Sequence, residues 1–441
     1  MPVLAAERGT RGELESIQAR RLSALLAEIL PLNRFYIRKL AEAGLEPEDL
    51  TTPAELRRLP FTTKDQLLAE QELHPPYGDV HTFPLDRYNR LHQTSGSTGR
   101  PLRWLDTPES WSWCLENWRQ IYEIVGLRPE DRLFFAFSFG PFLGFWSAFD
   151  AAARLGYFGL PAGGMTSVAR LRAILDTQTT VVLCTPTYAM HLAEVAVAEN
   201  IDLASSAVRA LVVAGEPGGS ILATRNRIEQ AWSARVFDHY GMTEIGPTAV
   251  ECVEHPGGIH VLETEYIAEI VDPHSGRAVS PGDLGELILT NLGRAGSPLL
   301  RYRTGDLVRA DPKPCPCGRP YLRLEGGILG RADDMICVRG NNVFPSSLEA
   351  LIRRFPEVAE YRVEVDGSST LPELRVEVEP TRAELGASLV KRVDRAIRDE
   401  LLFRAEVTAA PPGSLPRYEF KANRVSRKDA KTQSNVEGGR Q

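Results

Sequence analysis

The chain is short of several things that would commit a protein to a class. Only six cysteines occur in 441 residues, too few for a disulfide scaffold. No apolar run approaches the roughly 20 residues that span a bilayer. The N-terminus, MPVLAAERGTRGELES, has no apolar core of the kind that directs secretion. Positive charge is not in excess: 51 Lys and Arg stand against 58 Asp and Glu, a formal net charge of −7. A protein that works on phosphate backbones would be strongly basic, so nucleic-acid binding is not expected. These absences lead us to expect a cytoplasmic protein without a membrane segment.

What is present is ordinary globular composition, 43% hydrophobic and 25% charged, in a chain long enough for roughly two to four domains. Residues 13–45 carry leucine and isoleucine at three- and four-residue steps and read as helix. Residues 75–110 are rich in Pro, Gly, Ser and Thr and read as turns and short strands. From 110 to 245 helical stretches (Trp111–Val125, Ser167–Leu175, Ala189–Glu199, 219–231) alternate with apolar strands. Those strands are Arg132–Phe137, Val181–Cys184, Ala210–Val213 and Ala234–Phe237. That alternation predicts βαβ units and a largely parallel sheet. From 257 to 325 short β segments such as Tyr266–Val271 and Gly285–Thr290 sit between Gly/Pro turns, as in a β-rich subdomain. Near Gly330 the character changes again. A helix at Ser346–Phe355, strands at Tyr361–Val365 and Glu373–Val378 and a helix at Ala387–Leu402 make a small α+β unit. Ser346 and Glu349 have capping-box spacing. The polar end, SRKDAKTQSNVEGGRQ, is expected to fray.

Five short motifs carry possible chemistry. Thr94-Ser95-Gly96-Ser97-Thr98-Gly99-Arg100-Pro101 can offer backbone N–H groups and hydroxyls to an anion, and it is not a Walker A loop. Tyr240-Gly241-Met242-Thr243-Glu244 follows a strand of the parallel sheet, where ligands bind. Tyr240 offers a flat face for a base and Glu244 a hard oxygen for Mg²⁺. In Tyr302-Arg303-Thr304-Gly305-Asp306 an acidic residue after a glycine turn suits ribose hydroxyls. Gly330-Arg331-Ala332-Asp333-Asp334, continuing to Gly340, lies at the change of domain and suits a hinge. Lys421 closes the run Gly413-Ser414-Leu415-Pro416-Arg417-Tyr418-Glu419-Phe420.

A cysteine and histidine set stands apart from these. Cys252, His260, Cys315 and Cys317 supply three thiolates and one imidazole, a donor set suited to tetrahedral structural Zn²⁺. His255 is the competing imidazole; His260 is preferred because it falls in the strand-like segment IHVLE.

In their order and spacing the motifs resemble the adenylate-forming superfamily of acyl-CoA synthetases, carrier-loading adenylation domains and luciferases, and within it the phenylacetate-CoA ligase branch. The details that point to that branch are LPFTTKDQL at 59–67, CTPTYAM at 184–190, the Cys252/His260 segment, CPCG at 315–318, GRADDMICVRGNNVFPSSLE at 330–349 and GSLPRYEFK at 413–421. The likeness runs from about residue 30 to about 426, nearly the whole chain. It implies an α/β fold: a large N-terminal body, residues 1–328, with mostly parallel sheets flanked by helices and a β-rich subdomain. A small mobile C-terminal α+β domain, residues 329–441, follows a hinge near Asp333.

The resemblance also implies roles. Thr94, Ser95, Gly96, Ser97, Thr98 and Gly99 would close over the β- and γ-phosphates of ATP. Gly215, Glu216, Pro217, Asp238, Tyr240, Gly241 and Met242 would line the nucleotide site. Asp306 would hold the ribose, and Arg331 and Asp333 would serve nucleotide and hinge. Thr243, Glu244 and Lys421 would be catalytic: Glu244 would support Mg²⁺, and Lys421 would reach the reacting carboxylate and α-phosphate. Phe137, Phe139, Gly140, Phe142 and Phe145, with Gly215, Tyr240 and Gly241, would form the acyl pocket. Four Phe and one Trp in residues 137–146 suggest an aryl or arylacetic acid, although this segment departs from the pattern of phenylacetate enzymes. The expected reaction is ATP-dependent formation of an acyl-AMP, then transfer to coenzyme A; a carrier protein or an amine is the alternative acceptor. The family often forms homodimers, and some relatives in this branch carry a zinc at the cysteine cluster.

Overall fold

In a computed structural model of the chain, residues 9–94, 101–338, 341–366, 373–401, 403–418, 422 and 424–428 are described. The N-terminal stretch expected as one helical region is two helices, α1 (Arg11–Ile29) and α2 (Arg34–Ala43). Pro31 follows the first helix, and the Asn33 side chain accepts from the Tyr36 N–H to start the second, so the break has a local cause. Strands β1 (Arg90–Gln93) and β2 (Arg103–Asp106) pair antiparallel as a hairpin, and α3 (Pro108–Ile124) follows.

The parallel core comes next: β3 (Arg132–Phe135), α4 (Trp146–Arg154), β4 (Phe158–Pro161), α5 (Ser167–Asp176), β5 (Val181–Cys184), α6 (Pro186–Ala198), β6 (Ala210–Ala214), α7 (Leu222–Trp232) and β7 (Arg235–Met242). These strands pair in the parallel order β7-β6-β5-β3-β4. Their continuous apolar runs have a direct reading. Leu133, Phe135, Val181, Leu183, Ala210 and Val212 enter one buried cluster, while Phe134, Ala136, Val182, Cys184, Leu211 and Val213 enter a second. Alternate side chains point to opposite faces, and both faces are covered.

Antiparallel strands β8 (Gly246–Val250) and β9 (Gly258–Val261) extend the sheet. A separate sheet is built from β10 (Tyr266–Val271), β11 (Leu284–Asn291) and β12 (Tyr302–Arg309). Strand β13 (Arg323–Glu325) returns to the main sheet beside β9, and β14 (Gly330–Arg331) pairs with β12.

The third apolar cluster contains no residue before Ile336. It holds the hairpin β15 (Ile336–Val338) and β16 (Asn341–Val343), helix α8 (Pro345–Ile352), strands β17 (Val358–Asp366) and β18 (Glu373–Pro380), helix α9 (Gly386–Glu400), and strands β19 (Glu406–Ala409) and β20 (Val425–Lys428). No helix among the described residues is long and apolar enough to cross a membrane.

The α/β class and its parts agree with expectation, and besides the N-terminal break three more local readings are corrected. The expected strand 234–237 runs on to Met242, because β7 keeps pairing with β8 as far as Met242 opposite Gly246. Ser346 and Glu349 form no capping box: α8 begins at Pro345, Ser346 donates to the Leu329 carbonyl, and Glu349 is engaged by Arg353 and Tyr361. Ser426–Lys428, expected to fray, belong to β20, held parallel to β17; residues 429–441 lie outside the described set.

Candidate active site

Strands β3, β5, β6 and β7 end at one edge, and the loops that leave them carry most of the expected residues. Phe137 and Phe139 follow β3, Thr185 follows β5, Gly215–Pro217 follow β6, and Tyr240–Glu244 close β7. This is the crevice beyond the carboxyl ends of parallel strands, where ligands bind in open α/β sheets.

The Tyr240 hydroxyl donates to Asp306 Oδ2 at 2.6 Å, and Arg331 Nη1 donates to Asp306 Oδ1 at 3.1 Å. The expected turn before Asp306 is a bulge inside β12. Register slips between Glu286 and Ile288, and Gly305 has φ +75°. A Cβ on Gly305 would stand 2.9 Å from Arg331 Nη2, so glycine gives both the left-handed backbone and room for the guanidinium. Arg331 also makes a two-point pair with Asp333 at 2.9 Å in each contact. Burial pushes the Asp306 carboxyl up to about 6, against the downward pull of Arg331 and Tyr240. Burial likewise pushes Asp238 up to about 6; it accepts from Ser220 Oγ at 2.5 Å.

Glu244 is 2% exposed and accepts from the Tyr302 hydroxyl at 2.9 Å. No salt bridge to its carboxylate is found among the described residues, so this hard oxygen group fits a divalent cation. The Thr243 and Glu244 carbonyls both accept from Arg294 Nη1, at 2.8 and 3.0 Å. Arg294 is locked to Asp106 by a bidentate pair at 2.7 and 2.6 Å. Neither Arg294, Asp106 nor Tyr302 was expected as part of the site. The available sequence signal was an arginine in the otherwise uncharged run NLGRAGSPLL, which named no partner.

Thr94 closes the base of the hydroxyl-rich loop: its N–H donates to the Leu102 carbonyl at 2.9 Å and its Oγ1 accepts from the Leu102 N–H at 3.0 Å. Ser95, Gly96, Ser97, Thr98 and Gly99 lie outside the described residues, as does Lys421. Glu216 joins two parts of the chain. Its Oε1 accepts from the Thr187 N–H at 2.9 Å and its Oε2 from the Ala422 N–H at 2.7 Å.

The aromatic residues after β3 pack on one another. Phe137 lies 4.7 Å from both Phe139 and Phe145 between ring centroids, and Phe139 meets Trp146 edge-on at 4.6 Å. Trp146 Nε1 donates to the Gly140 carbonyl at 2.9 Å, which fixes the loop's return. Phe145 is only 6% exposed and belongs to the core, whereas Phe142 is 45% exposed. Phe137 and Phe139 are half-buried at the edge of that core.

Away from this crevice, the ligand atoms of Cys252, His260, Cys315 and Cys317 all lie within 4.8 Å of one another. Cys252 Sγ is 3.7 Å from Cys315 Sγ, and Cys317 Sγ is 3.5 Å from His260 Nε2. Thiolates about 2.3 Å from a tetrahedral zinc stand about 3.8 Å apart, so the spacing fits that ion. His255 Nδ1 is 3.9 Å from Cys315 Sγ and stays outside the four. Hydrogen bonding from Cys252 and His260 holds the Cys317 thiol low, toward the thiolate a metal requires.

Residues 37–293 match the family model described as AMP-binding enzyme, and residues 340–428 match that of the AMP-binding enzyme C-terminal domain. The chain belongs to the AMP-binding enzyme family. Relatives named phenylacetate-coenzyme A ligase, 30–34% identical over 88–95% of the chain, make it an adenylate-forming ligase of the acid–thiol class. The phenylacetate-coenzyme A ligase of Thermus thermophilus is 34% identical over 430 residues, 93% of this chain and 95% of that protein. A crystal structure of 2-hydroxyisobutyryl-CoA ligase in the postadenylation state, in complex with 2-HIB-AMP, has a TM-score of 0.92 at 30% identity, covering 96% of this chain and 92% of that one. The same ligase with 2-HIB-AMP and CoA in the thioesterification state has a TM-score of 0.73 at 30% identity, over 96% and 91% of the two chains. This chain thus superposes more closely on the postadenylation structure than on the thioesterification one.

Proposed function

We propose that this family member activates an aromatic carboxylic acid with ATP and transfers the acyl group to coenzyme A. The acid's carboxylate oxygen forms a bond to the α-phosphorus of ATP, and the bond to the β-phosphate oxygen breaks, releasing pyrophosphate. The thiol of CoA then attacks the acyl carbon and AMP leaves. The observation that carries the aromatic assignment is the cluster of Phe137, Phe139 and Trp146 where β3 opens onto the crevice, a flat apolar wall for a ring. Relatives named phenylacetate-coenzyme A ligase support it.

Tyr240 and Asp238 line the base, Asp306 takes the ribose hydroxyls and Arg331 faces the nucleotide. The loop from Thr94 to Gly99 covers the phosphates. Glu244 would hold Mg²⁺, which supplies charge neutralisation at the phosphates, and Thr243 is its neighbour in the same turn. Lys421 neutralises charge developing between the carboxylate and the α-phosphate. Two domains, 1–328 and 329–441, rearrange about Asp333 between the half-reactions. Cys252, His260, Cys315 and Cys317 would hold a structural Zn²⁺ that ties β8 and β9 to the loop before β13.

A pyrophosphate-release panel tests the acid. Phenylacetate, benzoate and a hydroxylated phenylacetate are compared with 2-hydroxyisobutyrate, each with and without CoA. Release with an aryl acid is expected; activity confined to the aliphatic acid would contradict the reading.

A further inference from the structure

Glu216 is held in place from one side and offered to the other. Thr187 is the second residue of α6, and its N–H is one of the first-turn donors that the helix itself leaves unpaired. Glu216 Oε1 takes that N–H at 2.9 Å, and the positive end of α6 favours the carboxylate charge there. This leaves Oε2 with a fixed direction. It accepts the N–H of Ala422, the residue after Lys421, at 2.7 Å.

A second contact lies beside the first. The Thr187 hydroxyl accepts from Arg424 Nη1 and Nη2 at 3.4 and 3.3 Å. Arg424 is 7% exposed and is held within the small domain by Glu360, at 2.7 and 3.0 Å. A third contact, Arg417 Nε to Glu194 Oε2 at 3.1 Å, lies farther along α6. Helix α6 and the loop after β6 thus receive residues on both sides of Lys421 in the chain. Burial raises the Glu216 carboxyl above its ordinary range, against the downward pull of the Thr187 and Ala422 contacts and of Arg424.

We propose that Glu216 is a positioning residue for acyl-AMP formation: its carboxylate latches Ala422, and the half-reaction assigned to Lys421 depends on that hold. The proposal rests on the reading that Lys421 serves that half-reaction. Each carboxylate oxygen is engaged by a backbone N–H group, so Glu216 ties the loop after β6 and α6 to the chain at Ala422. The latch must open when the small domain leaves, so the CoA half-reaction does not need it.

Glu216→Gln is the sharpest variant. It keeps the shape, but its NH₂ must face one of two backbone N–H donors, so one contact is lost. Thr187→Val removes the Arg424 acceptor while keeping the backbone N–H. Two rates are measured with the aryl acid that exchanges fastest in wild type: ATP–pyrophosphate exchange, and thioester formation from supplied acyl-AMP and CoA. E216Q should lose roughly tenfold to a hundredfold in the first, as kcat rather than KM for ATP. The second should be unchanged or faster, which also shows that the variant is folded. T187V should shift the same way by less. Equal loss in both half-reactions, loss expressed only as a higher KM for ATP, or no loss at all would overturn the latch while leaving the function standing. A wild type that exchanges pyrophosphate with no acid overturns the function and the latch together.

Discussion

The Tyr240 hydroxyl donates to the Asp306 carboxylate across 66 residues of sequence, at 2.6 Å. The two groups expected to meet the base and the ribose are therefore already joined, with Arg331 on the other carboxylate oxygen. Burial pushes the Asp306 carboxyl up to about 6, outweighing its positive neighbour Arg331. A raised carboxyl is ionised above that value and neutral below it, and only the ionised form accepts from two ribose hydroxyls. The KM for ATP should rise as pH falls through 6, by about tenfold between pH 7 and pH 5. Asp306→Asn should raise KM at every pH and flatten the profile. A KM for ATP that does not change over this range contradicts the assignment.

Arg294 and Asp106 are both 0% exposed in their side chains, and Arg294 also holds the Thr243 and Glu244 carbonyls. Arg294→Met leaves the buried Asp106 carboxylate with only His92 beside it, 3.7 Å away, at a cost of about 3–5 kcal/mol. Chemical denaturation should show that loss. The double variant Arg294→Met with Asp106→Leu should recover most of the stability but not the exchange rate, because the two carbonyls still lack their donor. Full recovery of both would reduce the pair to a structural role.

For the cysteine cluster, metal analysis of purified protein should find about one zinc per chain. Removal by a chelator should lower the melting temperature by several degrees, with Cys317→Ser behaving as the stripped protein does. Protein with far less than one equivalent, melting unchanged by chelator, refutes the site.

Lys421→Ala should cut pyrophosphate exchange by roughly a hundredfold to a thousandfold, the scale of losing one charge-stabilising donor. ATP binding measured by calorimetry should persist. Unchanged exchange would remove the lysine from the mechanism.

How much of this could be read in advance depended on distance along the chain. The βαβ run was legible because Val181–Cys184 and Ala210–Ala214 are apolar on both faces and the helices between them are periodic. Asp306 and Arg331 were legible as motifs, each carried by a few neighbouring residues. The cysteine set stood out because its donor types are rare in this sequence. Asp106 and Arg294 were not legible: 188 residues separate them, and each alone reads as an ordinary charge. Glu216 was expected beside the nucleotide because Gly215-Glu216-Pro217-Gly218-Gly219 resembles a loop of the family. Its contact with Ala422, 206 residues away, depends on how the small domain is placed. The bulge at Gly305 was read as a turn because glycine serves both, and only the pairing of β11 with β12 separates them.

The central claim, that the acid is joined to AMP before it meets CoA, is tested most directly by labelling the carboxylate with heavy oxygen. The protein is incubated with labelled aryl acid, ATP and CoA, and the products are weighed by mass spectrometry. The account predicts one labelled oxygen in AMP and none in pyrophosphate, with the thioester keeping the other. Label in inorganic phosphate, with ADP as the nucleotide product, would contradict it.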